Sequence, residues 1–501
     1  MVSEPARLEP EILQVGVAIV LGVIMSILDT TTIVAVALRT LSHDFRVCVS
    51  TIQWVTTGYL LALAVVIPVS GWAIHRIGAK TVYMISFGFS ITGSAMSGLA
   101  WSATSLILFR VLQGLGGGMI LPVGQSIMAR TAGPQRMGQV MGIIGVPQLL
   151  GPILGPVIGG VIISNTSWRW IFFVNVPIGL VALVLARRFL PATSGDRGHR
   201  FDLLGFMLLS PGLAFIVYGL AEVGSRGGFH GAAVYDSLVV GLVLSGLFVF
   251  RSLRAPEPLI DMRLFRDRTF SLASTGIFLV GATLYGTMFL LPLYYQIVRG
   301  DSAWLAGLMM APQGLGAAMS MRFGGLMADR RGPRSVVPYG VVVLALGTFF
   351  YTQVTATSNY WLLGIALFIR GLGMGATMMP TFAASYYNLT HDDVPKATSA
   401  TNILRQVGGS LGVAVFAVVL QTQITHRLPA VGLALQAGKI HANISQLEAV
   451  AGAFAHSFWW SFAVSLLALI PAVFLPNRGL AAQRSAVPAF DSQPESSSRH
   501  D

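Results

Sequence analysis

GWAIHRIGAK (residues 71–80) returns about 255 residues later as GLMADRRGPR (residues 325–334). A second echo keeps nearly the same offset: QGLGGGMILP (113–122) answers GLGMGATMMP (371–380). Glycine-rich apolar segments can resemble one another by chance, but two echoes at a common spacing and in the same order argue for a duplicated unit. The chain therefore divides into two similar halves, 13–190 and 269–476. A short N-terminal segment (1–12), a central insert (191–268) and a C-terminal tail (477–501) complete it.

Each half is too apolar for a water-soluble domain. Of 501 residues, 54% are hydrophobic and only 10% charged, and the mean hydropathy is +0.71. These values indicate a polytopic membrane protein. About 20 apolar residues cross ~30 Å of hydrocarbon. Fourteen stretches are long enough: 13–38, 52–74, 81–100, 105–128, 139–163, 171–189, 203–221, 235–252, 270–295, 304–327, 336–354, 361–386, 399–421 and 457–475. All are expected to be helices, because lipid cannot satisfy the open edge of a strand. Six fall in each half and two in the insert. The first is too long for a signal-peptide core and is expected to stay in the protein. Cys48 is the only cysteine, so no intramolecular disulfide can form.

The basic residues set orientation. With both termini placed in the cytoplasm, 21 of the 32 Lys and Arg fall in inner loops or tails and seven in outer loops. That bias suits an even number of spans. The net charge of +12 is then explained by topology and contact with anionic lipid, and no nucleic-acid partner is expected. The excess of Arg over Lys suggests a bacterial chain, and hence the inner membrane. The tail from Asn477, rich in Ser, Pro and Gln, is expected to be disordered.

Several motifs in a fixed order resemble the major facilitator superfamily, and within it the fourteen-helix drug:proton antiporters of the EmrB/QacA type. QWVTTGYLLALAVVIPVSGW (53–72) is similar to the second helix of that family. The two decapeptides resemble its loop signature, and RVLQGLGGG (110–118) its fourth-helix motif. GPILGPVIGG (151–160) resembles its antiporter motif. WRWIFFVNVPIG (168–179) and RQVGGSLGVA (405–414) are similar to segments of the fourteen-helix branch. The resemblance implies an all-α membrane fold of two six-helix bundles plus two extra central helices. It also implies proton-coupled export of small amphipathic compounds by alternating access.

The residues themselves suggest how. Gly151, Gly155 and Gly159 recur every four residues and so share one helix face, where they let backbones approach closely. Pro152 and Pro156 remove backbone donors and are expected to bend the helix. With Gly160 they make this span the expected pivot. In the second loop motif, Asp329 is expected to offer its carboxylate to the amides of the helix beginning near Ser335, with Gly325, Arg330, Gly332 and Arg334 shaping a cytoplasmic latch. In the first copy, Gly71, His75, Arg76 and Gly78 occupy these places. His75 stands where the acid belongs, which is expected to weaken that latch or make it pH-sensitive.

Of the 20 carboxylates, Asp29 alone sits well inside an apolar span. Burial penalises the charged form of a carboxylate, and intramembrane ionisable groups are functional by default. Asp29 is therefore the expected proton carrier, with Arg110 as its charge partner and Gln113 on the same helix face. In LDTTTIVAVAL (28–38) three residues separate Asp29 from IVAVAL where the family usually has two, a turn of ~100° relative to that motif. Arg370 and Arg405 are interior cations of the second half. Tyr285, Met288, Phe289 and Met374 are candidates for an adaptable apolar pocket with them. Tyr294 and Tyr295 are candidates either for that pocket or for the outer interfacial belt. Residues 422–456 include a stretch that suits an outer amphipathic helix.

No Ser-His-Asp set, metal cluster or phosphate loop stands out, so an enzyme is not expected, and no cofactor beyond the proton-motive force is needed. The partners expected are protons, small amphipathic substrates and the bilayer, with a monomer favoured. Export of a native lipid, siderophore or metabolite by the same fold is the alternative. A non-transporting membrane sensor or assembly protein is a further one.

Overall fold

The computed structural model describes residues 9–32, 38–47, 49–132, 136–193, 195–196, 200–226, 228–229, 231–390, 392–427 and 444–477. Among them are eighteen α-helices and no strand. The first half holds α1 (Pro10–Thr32), α2 (Leu38–Phe45), α3 (Val49–Ile77), α4 (Ala79–Gly98), α5 (Ala103–Ala132), α6 (Met137–Asn165), α7 (Trp170–Phe173) and α8 (Asn175–Phe189). The insert contributes α9 (Leu203–Arg226) and α10 (Ala232–Ser252). The second half holds α11 (Arg268–Leu293), α12 (Ala303–Met309), α13 (Ala311–Arg331), α14 (Val337–Tyr351), α15 (Tyr360–Ala384), α16 (Val394–Arg427), α17 (Ile444–Leu467) and α18 (Leu469–Val473).

Val174, Met310 and Ala468 keep helical dihedrals between successive helices. Each therefore joins its neighbours into one rod, and fourteen rods result beside the short α2. Eleven are long and apolar enough to cross a membrane. The other three are α4, α6 and the α12–α13 rod. The protein is a multi-pass membrane protein, and its rods satisfy their interior backbone groups as lipid requires. Pro68, Pro122, Pro211, Pro292 and Pro380 all lie inside helices. The chain beyond Pro292 loosens into a π-turn at Tyr294–Val298, a common adjustment where a helix loses a donor.

The repeat is visible in the backbone. Gly78 and Gly332 sit at the eighth position of the two decapeptides, and both have strongly positive φ, +86° and +90°. Only glycine adopts that conformation without strain. Each ends one helix and leads into the next, and in both halves the two flanking helices pack on the same third helix, α5 and α15 respectively. Each loop is also tied to the segment that follows the sixth rod of its own half. Thr193 Oγ1 accepts from Ala79 N at 2.8 Å and Leu190 O from Lys80 Nζ at 2.8 Å, while Pro476 O accepts from Arg334 N at 3.4 Å.

The halves meet along two seams. On one, α6 packs on α13; on the other, α3 and α5 pack on α16. The largest apolar cluster runs across both halves, joining residues such as Ile19, Tyr83, Met141, Ile277, Met321 and Met379. The inserted α9 lies across α3 and α16. Ser210 Oγ donates to Val65 O at 2.8 Å, and Tyr218 stacks on Trp54 at 5.8 Å. Its entry is pinned by buried Asp202, which accepts from Gly205 N at 2.8 Å, Leu259 N at 3.3 Å and the Arg251 guanidinium. α10 packs on α9 and leaves Val239, Leu242, Val243, Leu247 and Phe250 exposed, a lipid-facing stripe.

One alternative left open for Tyr294 and Tyr295 is removed. Tyr294 and Tyr295 do not belong to the interfacial belt: both are buried, with Tyr294 Oη donating to Thr355 O at 2.7 Å and Tyr295 Oη 3.1 Å from Tyr351 Oη. The 352–359 connection and α17 cover them. Of residues 422–456, 428–443 lie outside the described residues, as does the tail from 478, while 444–456 belong to α17.

Candidate functional site

The polar centre of the first half is built by three rods. Asp29 lies three residues before the end of α1 and is 1% exposed. Gln113 of α5 donates from Nε2 to Asp29 Oδ2 at 2.7 Å. Asn175, the first residue of α8, donates from Nδ2 to Asp29 Oδ1 in a short bond. Arg110, also 1% exposed, is held beside them. Its Nη1 donates to Gln113 Oε1 at 2.7 Å, its Nη2 to the Asp29 backbone carbonyl at 3.2 Å and its Nε to Val55 O at 3.4 Å. The guanidinium also lies 4.0 Å over the Tyr59 ring, a cation–π contact that offsets part of its lost hydration.

Gln113 is thus a bridge. Its carbonyl takes the arginine and its amide takes the carboxylate, so acid and base communicate through one neutral side chain. This centre can assemble because glycines let the rods touch. A Cβ at Gly93 of α4 would meet the backbone of Gln113 at 2.6 Å, and one at Gly114 the Tyr59 carbonyl at 2.7 Å. The extra residue after Asp29 does not turn its side chain outward.

Gly151 connects the GPILGPVIGG motif to this centre. A Cβ there would overlap Ile27 Cγ2, two residues before Asp29. α6 runs unbroken through the motif as helix, with Gly151, Gly155 and Gly159 all buried. The side chains of Pro152 and Pro156, and Gly160, lie outside what is described. Between α1 and α6 lies an apolar cavity of about 520 Å³, lined by Val20, Ile24, Ile27, Ile143, Pro147 and Gly151 among others.

Among the described residues the second half buries cations but no matching acid. Arg370 is 1% exposed; it donates to Gln313 Oε1 at 2.7 Å, Thr348 Oγ1 at 3.2 Å and Thr283 O at 3.5 Å. Arg405 of α16 donates to Tyr285 Oη at 2.6 Å and Asn402 Oδ1 at 3.2 Å. Asn402 in turn donates to Gln125 Oε1 of the first half at 2.6 Å. Met374 is buried in the central core, Met288 lies partly buried at its edge, and Phe289 packs with the separate cluster around Tyr294 and Tyr351. The sequence-named pocket residues are therefore only partly brought together: Tyr285 and Arg405 touch, whereas Phe289 sits apart.

The loop motifs and their flanks carry contacts between the two halves. Asp329 Oδ2 accepts from Gln139 N at 3.2 Å, in the first turn of α6. The expectation placed this contact on the helix after its own loop; the amide belongs instead to the opposite half. At the other seam, Ser70 and Ser399 hydroxyls meet at 2.8 Å, and Gly71 lies against Pro395 and Ser399. His75 lines a small charged cleft with Arg200, Asp202, Glu257 and Lys396. Arg76 and Gly325 are further members of the loops; Arg330 and Arg334 are exposed.

Two buried glycine-lined half-bundles with matching loop signatures agree with the sequence comparison. The sequence model of the Major Facilitator Superfamily matches residues 19–413. The chain belongs to the major facilitator superfamily. Among its relatives, a Multidrug resistance protein B homolog of Mycobacterium tuberculosis is 37% identical over 505 residues, covering 96% of this chain and 93% of that protein. Lincomycin resistance protein LmrB of Listeria innocua is 30% identical, covering 76% and 80%. Two solved structures share the fold at low identity. The human organic anion transporter MFSD10 (TETRAN) has a TM-score of 0.59 at 16% identity, covering 91% of this chain and 100% of that one. The proton:xylose symporter XylE also has a TM-score of 0.59, at 13% identity, covering 94% and 98%.

Asn175 is the site residue that the sequence reading missed. It stood inside the quoted WRWIFFVNVPIG, the one amide in that apolar run, and an unpaired amide in a membrane span asks for a partner.

Proposed function

We propose that this superfamily member is a proton-coupled efflux antiporter that exports amphipathic organic compounds across a bacterial inner membrane, with both termini in the cytoplasm. The observation that carries the reading is a carboxylate buried among three rods of the first half, Asp29, suspended between Gln113 and Asn175 and coupled through Gln113 to Arg110. The names of the full-length relatives, which speak of drug and lincomycin resistance, support efflux as its direction.

Proton binding at Asp29 cancels a buried negative charge. The two amides then lose an ionised acceptor, and Arg110 loses the charge across from it. Charge-assisted bonds are roughly twice as strong as neutral ones, so protonation loosens the joint between α1, α5 and α8. Ile27 and Gly151 lie next to that joint, which supports a pivot in α6 that responds to a change at Asp29. The Asp329–Gln139 contact and the Ser70–Ser399 contact would open when the six-helix units, about 13–190 and 269–476, rock apart. A ligand biases this equilibrium by its differential affinity for the two states.

The test is pH-driven uptake of a fluorescent amphipathic compound into inverted vesicles, with wild type against Asp29→Asn at equal expression. Uptake by the wild type alone supports the reading. Equal uptake by both removes Asp29 from the mechanism. A wild type that moves no drug-like compound points to a native lipid, siderophore or metabolite as cargo, or to a protein that does not transport.

A further inference from the structure

Among the described residues the buried carboxylates are Asp29 and Asp202. The Asp29 carboxylate is linked to Arg110 through Gln113 in the first half, and Asp202 is paired with Arg251 at the entry to the insert. The second half buries Arg370 and Arg405, and every hydrogen-bond acceptor they reach is neutral: Gln313, Thr348, the Thr283 carbonyl, Tyr285 and Asn402. An isolated charge removed from water is costly unless it finds a counter-charge. The second half is therefore built with a standing positive excess.

The two arginines differ in how far they are satisfied. All three nitrogens of the Arg370 guanidinium donate to protein acceptors. Arg405, 8% exposed, has a buried Nε with no acceptor. Gln125 Nε2, one hydrogen bond away through Asn402, is a second buried donor with no acceptor. So the cluster joining α5 to α16 holds an excess of donors as well as an excess of charge. Beside Arg405 lies a small void of about 10 Å³ walled by Ile277, Val280, Gly281, Met378, Thr381 and Phe382. It has room for about one water, but its wall includes an unbranched methionine that can swing aside. Positive charge and spare donors meet an apolar wall at the boundary of the two halves.

We propose that Arg405 binds the acidic group of the transported compound, so that the preferred cargo is an amphipathic organic anion: a carboxylate or sulfonate on an apolar ring system. The anion takes the spare Arg405 Nε–H and the Gln125 amide, and its apolar part lies against Ile277, Val280 and Phe382. Arg370 adds long-range attraction without contact. The inference deepens the export reading by naming the substrate class, and it rests on that reading for the direction of movement only.

The experiment is equilibrium binding to the purified full chain in zwitterionic nanodiscs. The probes are pyrenebutanoate, its neutral amide and the matched pyrenebutyl trimethylammonium, read by Trp-to-pyrene energy transfer against empty nanodiscs. The carboxylate is expected to bind at least tenfold tighter than the other two. Arg405→Gln is expected to erase that preference, and Arg405→Lys to retain part of it, because charge is kept while the planar fork is lost. A cooperative melt near that of wild type shows that each variant is folded. Equal binding of the three probes, tighter binding of the cation, or an intact preference in folded Arg405→Gln overturns the proposal. Flux under a pH gradient is scored separately: protein that binds the acid selectively but moves no probe leaves this inference standing and sinks the export reading.

Discussion

Gly151 of α6 lies flat against Ile27 of α1, so closely that a single added methyl would occupy the space of Ile27 Cγ2. The contact ties the glycine motif of one rod to the helix that carries the buried acid. Ile27 is β-branched and stiff at χ1, so it cannot fold away from an incoming side chain.

Gly151→Ala is therefore expected to force α1 and α6 apart and to lower pH-driven efflux at least tenfold, with ~1–3 kcal/mol lost in stability from overpacking. Ile27→Ala in the same chain should restore much of the lost activity. A double-mutant cycle on transport rate and melting temperature reads the coupling. Strict additivity of the two changes would mean that the contact carries no mechanical load.

Gln113→Leu removes the bridge and leaves Arg110 Nη1 and Asp29 Oδ2 without their partner. Hydrogen bonds to charged groups contribute ~1.5–3 kcal/mol each, and a loss of that size in the coupled step is a ten- to hundredfold fall in rate. The fall is expected in the proton-driven rate rather than in substrate affinity. Asn175→Leu, which spares the arginine, should cost less. A fall confined to KM would assign Gln113 to the cargo instead.

Asp329→Asn weakens the hold on the first turn of α6. An anion at a helix N-terminus contributes ~0.3–1 kcal/mol, up to ~2 in partly buried settings, which corresponds to a roughly two- to thirtyfold shift in a two-state equilibrium. The seam between α6 and α13 should open more often. In a Cys48→Ser background, a cysteine replacing buried Met321 should react with a soluble maleimide faster by that factor. Unchanged labelling would show that the latch adds nothing to closure.

Asp202→Ala strips Arg251 and two backbone amides of their shared acceptor. Breaking a buried ion pair costs ~3–5 kcal/mol, and the partly exposed Arg251 side chain brings the expectation toward ~2–3 kcal/mol. The purified protein should melt several degrees lower while its proton-driven flux per folded molecule is kept. A loss of flux with an unchanged melt would give the insert a part in transport.

Much of this architecture was legible along the chain. Spans follow from uninterrupted apolar length, and the two decapeptides exposed the duplication because each needs a glycine with positive φ at the same place. Asp29 stood out by being alone. The partners of these residues did not, because pairing across 146 residues, as for Asn175 and Asp29, depends on how rods pack and not on any local period. Asp329 shows the same limit. Its neighbour in sequence was a helix start, but its neighbour in space is the start of a different helix. Tyr294 and Tyr295 were ambiguous for the opposite reason: composition matches the interfacial belt, and only the packing of α17 and the 352–359 connection removes them from it.

The two seams between the halves are dressed differently. α9 straddles α3 and α16 like a roof tile, anchored at Val65 and Trp54, and α10 lies outside it. Among the described residues nothing comparable lies over α6 and α13, and the apolar cavity beside Ile27 and Gly151 is on α6. Among the described residues the two flanks are therefore unequal toward the bilayer. A compound dissolved in lipid would meet α9 and α10 over one flank and, among the described residues, no such cover over the other.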